Sequence, residues 1–454
     1  MIRKKFLWGL VIGVLWSVVV FTNIAFGLTT EVSETVRDAW FQSRTAPYRG
    51  KSLTIITTSG YGFDTALKLN AREFTRITGI KVEVTDLPWR EMHDRVMANY
   101  LARSAAYDVV NMDGWQIPVL FNSGAIISLE PFLNNSELTY PDLDLGDFVK
   151  NDIKYNATWP IGKTLYALPY FSDIIMIFYN TEYFEKFGQT PPQTWDEFTE
   201  VAKNLTRDLD GDGKTEYGCA LMVMKCADLP TMFHDRFSPL GGEWFDENYL
   251  PAFNNQMGLQ ALEMLKEHLK YAPPGSYEWH VPMVTKAFVR GDVAMAEMWT
   301  NIPAAADDPT QSTIVGKWSA AVVPKDVRYA PLYGGWSLGI PAYAKNKDLS
   351  YLFIQWATEK NMMKKVELEV GMTQARYSVL NDPDVRAKFP WYGALVDSLD
   401  VGKPSPKVPE AMEIWDTYEI YLSKFVTKEL TAKEALQQMY DAVYEIMEIG
   451  GYYE

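Results

Sequence analysis

Cysteine is scarce in this 454-residue chain, which contains only Cys219 and Cys226. So few cysteines exclude a small scaffold held together by disulfides. On one extended strand the two Cα atoms would lie ~23 Å apart, at ~3.3 Å per residue. A disulfide tolerates a separation of only about 7 Å. Pairing would therefore require the chain to turn back between the two residues, and the sequence leaves that alternative open.

Histidine and positive charge are also in short supply. The 4 histidines have no spacing typical of metal ligands, which argues against a zinc enzyme. Lysine and arginine number 43 against 58 aspartates and glutamates, so the formal net charge is −15. Nucleic acids and anionic membrane surfaces bind basic patches, so neither is an expected partner. The acidic balance suits an uncharged or cationic small ligand.

Two catalytic or nucleotide-binding motifs are missing from the sequence. It contains no His-Glu-x-x-His motif and no Gly-x-x-x-x-Gly-Lys-Ser/Thr loop. We therefore predict that the protein is not an enzyme and requires no cofactor. An exported glycosidase with two catalytic carboxylates is the alternative, because acidic side chains are plentiful. None of them falls in a pattern that assigns an acid and a base.

Long apolar runs are limited to one, Phe6 to Phe21, which follows the basic residues Arg3, Lys4 and Lys5. Small residues at 25–27 then offer a cleavage site, so we predict a signal peptide over residues 1–27. The run is long for a signal peptide, and an uncleaved N-terminal membrane anchor is the alternative. No cysteine lies nearby to carry a lipid anchor. Either way, we expect a periplasmic or extracellular location.

The body of the chain alternates strands and helices. Lys51 to Thr58 is predicted as a strand, Asp64 to Thr78 as an amphipathic helix closed by Gly79, and residues 80–89 as a second strand. A further helix and a strand over 107–112 follow. This order predicts an α/β fold with a parallel sheet, and the chain length predicts two lobes. Ligands bind at the ends of such strands.

Three segments resemble the extracellular solute-binding proteins of carbohydrate ABC importers, the maltose-binding-protein type. They are the segment "GKTLYALPYFSDIIMIFYNTEYFEKFGQTPPQTWDEFTEVAKNLT", the segment "GGWSLGIPAYAKNKDLSYLFIQWATEKN" and the segment "YDVVNMDGWQIPVLFNSGAIISLEPFL". In the first, the matching positions are Gly162, Leu168, Pro169, Tyr179, Asn180, Pro191, Pro192, Thr194, Trp195 and Glu197. The segments keep the family's order, and the resemblance extends from about Leu53 to Tyr444.

The resemblance implies the two-lobe periplasmic-binding-protein fold of type II. The first lobe would comprise residues 50–168 and 337–403, and the second lobe residues 174–333 and 409–454. Hinge crossings are expected near 169–173, 334–336 and 404–408. Glycine pairs and prolines at these positions are residues that hinges often use to absorb backbone rotation.

The resemblance also implies a function. The protein would be a monomer that captures a sugar or oligosaccharide between its lobes and delivers it to a membrane ABC permease. One alternative is a protein of the same fold that binds a polyol, a polyamine or a peptide. Another is a membrane-anchored partner of a sensor.

Candidate ligand residues are aromatic and carboxylate side chains at the ends of the predicted elements, where sugar C–H faces and hydroxyls could meet them. Tryptophans can also be packing residues, and aspartates can cap turns or helices. Four of the candidates stand at positions where the family often places ligand contacts: Trp244, Trp299, Trp336 and Arg376. The full set is Tyr61, Asp86, Trp89, Asp113, Trp115, Tyr170, Asp173, Trp244, Trp299, Gly335, Trp336 and Arg376.

One stretch, "RDLDGDGKTEYG", resembles the first half of a calcium loop. Asp208, Asp210 and Asp212 alternate, Lys214 could lend a carbonyl, and Glu216 stands at the ninth position. The twelfth position, where a bidentate glutamate belongs, is Cys219. A structural Ca²⁺ site and an exposed acidic turn are both compatible with this pattern.

Overall fold

The computed structural model describes residues 34–60, 62–300 and 302–453. Its strands are short. In chain order they are β1 (Ser52–Thr58), β2 (Lys81–Leu87), β3 (Val109–Asp113), β4 (Thr158–Trp159), β5 (Thr164–Leu165), β6 (Ala167–Phe171), β7 (Met176–Asn180), β8 (Met295–Met298), β9 (Trp318–Val322), β10 (Leu332–Tyr333), β11 (Trp336–Gly339) and β12 (Lys403–Pro404).

The helices occur between the strands and fill the C-terminal part of the chain. They are α1 (34–45), α2 (Phe63–Thr78), α3 (Trp89–Leu101), α4 (Ile117–Asn122), α5 (Glu130–Leu133), α6 (Lys150–Asp152), α7 (Thr181–Lys186), α8 (Trp195–Asn204), α9 (Leu229–Phe237), α10 (Gln256–His268), α11 (Val281–Val289), α12 (Pro303–Ala306), α13 (Lys347–Ala357), α14 (Lys360–Val370), α15 (Tyr377–Leu380), α16 (Pro383–Lys388), α17 (Tyr392–Val401), α18 (Ala411–Val426) and α19 (Ala432–Ile449). A π-helical turn, Ile153–Ala157, continues α6.

Five strands form a mixed sheet in the order β2-β1-β3-β11-β6. β1 lies parallel to β2 and β3, as the alternation of strands and helices predicts. β11 comes from a distant part of the sequence and runs antiparallel to both of its neighbours. Its register sets Trp336 opposite Asp113 and Phe171, where β3 and β6 end. Residues from three separate segments therefore meet at one edge of this sheet.

A second sheet has three strands, with β7 between β8 and β9 and antiparallel to both. We call the elements around the five-stranded sheet the first lobe and those around the three-stranded sheet the second lobe. The two sheets pack against different helices, α2 and α3 on one and α7, α11 and α17 on the other, and such a division is expected for a chain of this length. The predicted two-lobe α/β architecture is confirmed.

Local sequence signals set several helix ends. On α2, the predicted apolar residues Leu67 and Phe74 are buried, and Gly79 ends the helix with a φ of 75°. That positive φ suits glycine because it has no Cβ to clash. At the start of α8, Thr194 and Glu197 form a capping box, in which each side chain accepts a hydrogen bond from the other residue's backbone N–H.

The first lobe includes α1, which lies before the predicted lobe boundary at residue 50. The Phe41 ring meets the Trp356 ring edge-on, with their centroids 5.2 Å apart. Arg37 forms an ion pair of 3.2 Å with Glu359, also in the first lobe. These contacts attach α1 to α13 and to the start of α14.

The segment around α17 contacts both lobes, whereas the resemblance assigns 337–403 wholly to the first lobe. The Trp391 ring lies 5.8 Å from the Phe178 ring and 6.0 Å from the Trp318 ring of the second lobe. The hydroxyl of neighbouring Tyr392 instead donates to Glu367 of the first lobe. α18 and α19 pack on α9 and α10 of the second lobe.

The chain crosses between the lobes in three places. It leaves β6 at Phe171 and enters β7 at Met176, returns from β10 to β11 through Gly334 and Gly335, and crosses again after β12. β10 and β12 pair in parallel, so two of the crossings begin side by side. These positions overlap the crossings expected near 169–173, 334–336 and 404–408.

Candidate functional site

A cavity of about 320 Å³ lies between the lobes. Residues of both lobes and of all three crossings line it. The strand ends and loops of the two sheets point into this space, as expected for ligand sites in α/β folds. Seven of the predicted ligand residues are among those that line it: Trp89, Asp113, Trp115, Asp173, Trp299, Gly335 and Trp336.

Tryptophans supply much of the cavity wall. Trp115 meets Trp89 edge-on, with centroids 6.0 Å apart, and meets Trp299 of the second lobe in the same way at 6.0 Å. Trp336 lies against Phe63, with centroids 4.3 Å apart. Trp299 and Trp336 keep only 8% and 7% of their surface exposed. Such flat apolar faces can pack against C–H groups or attract a cation.

In each lobe a carboxylate holds one of these tryptophans. Asp113 accepts a hydrogen bond from Nε1 of Trp89 and two more from the backbone N–H groups of Trp115, at 2.9 Å, and Gln116, at 3.0 Å. In the second lobe, Asp228 accepts from Nε1 of Trp299 at 3.1 Å. Burial raises the pKa of both carboxyls, while these hydrogen bonds favour the charged forms.

Asp173 lies in the first crossing, and a residue of the second lobe donates hydrogen bonds to it. Its Oδ1 accepts hydrogen bonds from the hydroxyl of Thr300, at 2.7 Å, and from the backbone N–H of Thr300, at 3.2 Å. Burial raises the pKa of Asp173 to about 6, and the nearby charge of Asp228 acts in the same direction. The side chain is half-buried and mostly ionised at neutral pH.

A polar network joins α6 and its π-helical turn to the crossings. Nδ2 of Asn156 donates to Oδ1 of Asp152 at 2.9 Å and to the carbonyl of Gly334 at 2.7 Å. The Ser172 hydroxyl donates to the other oxygen of Asp152. Burial raises the pKa of Asp152 to about 7. α6 and its π-helical turn therefore hold the first crossing through Ser172 and the second crossing through Gly334.

The third crossing is attached through the peptide groups of Gly114. The backbone N–H of Gly114 donates to the carbonyl of Gly335 at 3.0 Å. Its own carbonyl accepts from Nζ of Lys407 at 2.6 Å. Burial lowers the pKa of Lys407 to about 7, although Asp113 and Asp152 act in the opposite direction. The peptide next to Trp115 is therefore fixed by two crossings.

Ion pairs connect the lobes at the side of the cavity. Nη2 of Arg90, on α3, lies 2.8 Å from Asp416 and 3.3 Å from Glu419, both on α18. Close by, the rings of Trp115 and Trp415 lie 5.4 Å apart. Burial raises the pKa of Glu419 to about 7, whereas the charge of Arg90 lowers it. We call the Arg90–Asp416–Glu419 group the interlobe clasp.

The profile of the family described as bacterial extracellular solute-binding protein matches residues 58–364 of this chain. The chain belongs to this family of extracellular solute-binding proteins. The family predicted from the sequence motifs is confirmed, and so is its extracellular class. None of the described helices combines the length and the hydropathy needed to cross a membrane. The predicted signal peptide lies outside the described residues.

The individual relatives are distant in sequence, but each match covers most of both chains. A probable amino-acid ABC transporter periplasmic-binding protein of Sinorhizobium fredii is 25% identical over 412 residues, which are 89% of this chain and 91% of that protein. A mannitol-binding protein of Pseudomonas aeruginosa is 25% identical over 316 residues, 64% of this chain and 71% of that protein. A solute-binding protein of Agrobacterium radiobacter, solved with ribitol, shares the fold with a TM-score of 0.78, at 23% identity over 88% of this chain and 99% of that one.

Two predicted ligand residues of this solute-binding protein contact other parts of the first lobe instead of the cavity. Asp86 forms an ion pair with Lys68 at 3.1 Å. Tyr170 is fully buried, and its hydroxyl donates to Asn70. Tyr170 precedes the end of β6, so the alternation of the strand turns its side chain into the core. Tyr61, a third prediction, lies outside the described residues.

Trp244 and Arg376, predicted from the family pattern, are also absent from the cavity lining. The Trp244 ring stacks on Tyr418 with centroids 4.6 Å apart, and its Nε1 donates to His234. Arg376 is buried, with its guanidinium 3.8 Å from the centroid of the Phe148 ring and 3.2 Å from Asp147. A buried guanidinium needs such partners to offset its lost hydration. Both residues stabilise the fold around the site.

The structure adds site residues that the sequence reasoning missed, among them Arg90, Asp228, Glu419 and Asn156. Asp228 directly precedes α9, which has a proline in its first turn. That pattern of a helix start could have drawn attention to it. The other three lie within helical segments, where no local signal separates them from ordinary surface polar residues.

The acidic loop divides into two groups. Carboxylate oxygens of Asp208, Asp210 and Glu216 lie within 4.8 Å of one another. Asp212 instead accepts hydrogen bonds from both the backbone N–H and Nζ of Lys214. Three converging carboxylates are suitable oxygen ligands for Ca²⁺, so Asp208, Asp210 and Glu216 fit the ion better than Asp212 does. Cys219 and Cys226 are both free thiols.

Ser337 occupies the serine position of a Gly-x-Ser-x-Gly sequence, Gly335 to Gly339. In hydrolases this serine stands on a sharp strand-to-helix turn with its hydroxyl accessible. Here Ser337 lies within β11 and is fully buried. This match to the motif therefore lacks the geometry of a nucleophile.

Proposed function

We propose that this solute-binding protein captures a small sugar or polyol in the cavity between its lobes and delivers it to a membrane ABC permease. The observation that carries the proposal is the cavity itself, where tryptophan faces and carboxylates from both lobes line one space. The mannitol-binding relative supports a polyol as ligand. The other relative is named as a probable binding protein of an amino-acid transporter, which supports a small polar solute more generally as the ligand.

Each kind of side chain has a defined role in this proposal. The faces of Trp115, Trp299 and Trp336 pack against the C–H groups of the ligand. Asp173 and Asp228 accept hydrogen bonds from its hydroxyls. Because these carboxylates are already held by Thr300 and Trp299, little side-chain entropy is lost on binding.

The dimensions of the cavity favour a small ligand. Its volume of about 320 Å³ is near the lower end of the ~300–1,000 Å³ range of small-molecule pockets. Trp415 and the interlobe clasp border it on the side of α18. A single sugar ring or an acyclic polyol therefore fits the proposal better than a long oligosaccharide.

Transport would follow from lobe closure. A ligand that contacts both lobes favours the closed form over the open form by the free energy of the additional contacts. The crossings supply the hinge, and the closed form would dock on the permease as a monomer. In this role the protein performs no chemical turnover, and it acts in the periplasm or outside the cell.

A thermal-shift screen against monosaccharides, disaccharides and polyols tests the proposal. A ligand at about 100 times its dissociation constant stabilises the folded form by ~2.7 kcal/mol, which raises Tm. The proposal fails if no member of the screen raises Tm. Product formation on long incubation would instead indicate an enzyme.

Matched tryptophan variants locate the binding site. Trp299→Ala should raise the dissociation constant of the ligand found in the screen by about tenfold or more, because the substitution removes part of the cavity wall. Trp318→Ala is the control, since Trp318 lies in the same lobe on β9 and is not part of the lining. Equal effects of the two variants would contradict this location.

A further inference from the structure

Two carboxylates that line the cavity, Asp173 and Asp228, are bound by consecutive residues of one segment. Asp228 accepts a hydrogen bond from the indole of Trp299, and Asp173 accepts two from the next residue, Thr300. The two are close enough for the charge of Asp228 to raise the pKa of Asp173. Neighbouring residues of one segment therefore hold two like charges at the same end of the cavity.

No cation neutralises this pair within the described part of the chain. Among the described residues, no lysine, arginine or histidine nitrogen forms an ion pair within 4.0 Å with Asp173 or Asp228. Arg90, which also lines the cavity, is bound by the acidic residues of the clasp. Lys225 and His280 complete the basic lining, and of these only His280 lowers the pKa of Asp228.

The surroundings of the pair are suited to a cation. Two like charges at half-buried positions repel each other, and partial burial adds to the cost of keeping both ionised. A ligand cation would remove the repulsion and donate charge-assisted hydrogen bonds to both carboxylates together. The rings of Trp299 and Trp115 beside them offer faces that attract a cation.

We infer that the ligand is a small polyhydroxylated amine, such as an amino sugar or an amino polyol, whose ammonium group binds between Asp173 and Asp228. This inference rests on the proposed function and specifies the chemical class of its ligand. The hydroxyl groups occupy the remainder of the cavity, against Trp336 and Phe63. A neutral sugar would leave the two carboxylates without a counter-charge.

Pairs of ligands that differ only at one group provide the test. D-Glucosamine, D-galactosamine and D-mannosamine are compared by titration calorimetry with their neutral parent sugars and with their N-acetyl derivatives. N-Methyl-D-glucamine is compared with D-glucitol. In at least one pair the amine should bind at least about tenfold more tightly than its neutral partner, as expected for charge-assisted hydrogen bonds. N-Acetylation should remove the advantage.

Variants assign the effect to the carboxylate pair. Asp173→Asn and Asp228→Asn keep the size of the side chains and remove one charge each. Both should abolish most of the preference for the amine, measured within each variant as the ratio of the dissociation constants of the neutral partner and the amine. Asp86→Asn is the control, because Asp86 is a carboxylate outside the lining that pairs with Lys68. It should leave the preference intact.

The pH dependence offers a second readout. N-Methyl-D-glucamine is an alkylamine and, like a lysine side chain, stays protonated below about pH 9. Its affinity should fall between about pH 7.5 and pH 5 as Asp173, with a pKa of about 6, loses its charge. Asp152 and Glu419 also titrate near these carboxylates, so Asp173→Asn must remove most of the fall.

The outcomes separate this inference from the proposed function. If neutral sugars or polyols bind as tightly as their amines, or more tightly, the inference is wrong and the proposed function stands. If the amine preference survives in both Asn variants, the assignment to the pair is wrong. If no compound of either class binds, the inference and the proposed function both fail.

Discussion

At the scale of single residues, partners decide what a side chain does. Asp86 and Asp113 both stand at the ends of parallel strands, and both are predicted ligand residues. Asp86 is one third exposed and forms an ion pair with Lys68. Asp113 is 4% exposed and fixes Trp89 together with the start of the next loop. The same residue type in the same kind of position thus serves two purposes.

Asp113→Asn tests this positioning role. The substitution replaces one acceptor oxygen with an N–H group that faces other N–H donors. We expect the free energy of unfolding to fall by about 1–3 kcal/mol, because a buried hydrogen bond is lost. The ligand should bind about five- to tenfold more weakly as Trp89 loses its orientation. Denaturant titration and calorimetry measure both effects, with Asp86→Asn as control. An unchanged dissociation constant would show that Trp89 does not depend on Asp113.

Calcium binding to the acidic loop is a second prediction at this scale. We propose that Asp208, Asp210 and Glu216 bind Ca²⁺, because their carboxylate oxygens converge and Glu216 is buried. Adding Ca²⁺ at about 100 times its dissociation constant to chelator-treated protein should stabilise it by ~2.7 kcal/mol and raise Tm. Asp210→Asn should abolish the shift.

Asp212→Asn is the matched control for the calcium experiment, since the Asp212 carboxylate pairs with Lys214 and is not one of the three that converge. It should keep most of the shift. If Ca²⁺ leaves Tm of the unaltered protein unchanged, the loop is an exposed acidic turn, the other interpretation of its sequence.

At the scale of elements, α6 and its π-helical turn act as an anchor for the crossings. Asn156 binds the carbonyl of Gly334, and Asp152 binds Ser172. Gly335 allows the second crossing to approach α6 and its π-helical turn closely. A Cβ at this position would lie 2.2 Å from Nδ2 of Asn156 and 2.4 Å from Oδ1 of Asp152. This close approach, and not only flexibility, explains why a glycine stands in the second crossing.

Gly335→Ala tests the close approach. Both the φ of +115° and the clash with Asn156 oppose a side chain at this position. We expect the free energy of unfolding to fall by more than about 2 kcal/mol, together with weaker ligand binding, because the substitution displaces the anchor next to the cavity.

The control for that variant is Gly162→Ala. Gly162 also has a positive φ, +72°, but beyond its chain neighbours no atom lies within 4 Å of the place that a Cβ would take. Gly162→Ala should lower the free energy of unfolding only by the backbone strain, about 1–2 kcal/mol, and leave ligand binding unchanged. Equal losses in the two variants would mean that strain alone, and not the contact with α6, makes Gly335 necessary.

At the scale of the whole molecule, the lobes touch across the cavity through the interlobe clasp. Arg90 of the first lobe reaches Asp416 and Glu419 of the second. These contacts exist only when the lobes are close together, so they stabilise the closed form relative to the open form. Exposed ion pairs contribute little, about 0–1 kcal/mol, which allows the clasp to be undone when ligand leaves.

Asp416→Asn should shift the equilibrium between the closed and open forms towards the open form. The substitution removes no residue from the cavity lining. We expect the dissociation constant to rise by up to about fivefold, mainly through faster dissociation, and the effect to shrink at high salt. Stopped-flow fluorescence measures the rate. Glu413→Gln is the control, because Glu413 is exposed on the same helix and outside the clasp. A rate equal to that of the unaltered protein would exclude the clasp as a contributor to closure.

Much of this protein follows from its sequence alone. Apolar periodicity and helix caps are local patterns, so they predicted the α/β class and several helix ends. The family segments predicted the two lobes, and strand ends predicted Asp113 and Trp115 as ligand residues. Strand ends converge in any sheet of this kind, so these predictions needed no detailed packing.

Only the tertiary structure decided which charged residues meet in the cavity. Asp228 and Glu419 lie far apart in the sequence, one directly before α9 and the other on α18, and the register between helices and lobes is set by packing. The same packing places Trp244 and Arg376 away from the ligand site, whereas the alternation of β6 turns Tyr170 into the core of the first lobe. A side chain's charge and position in an element are local properties, whereas its neighbours depend on long-range contacts of the folded chain.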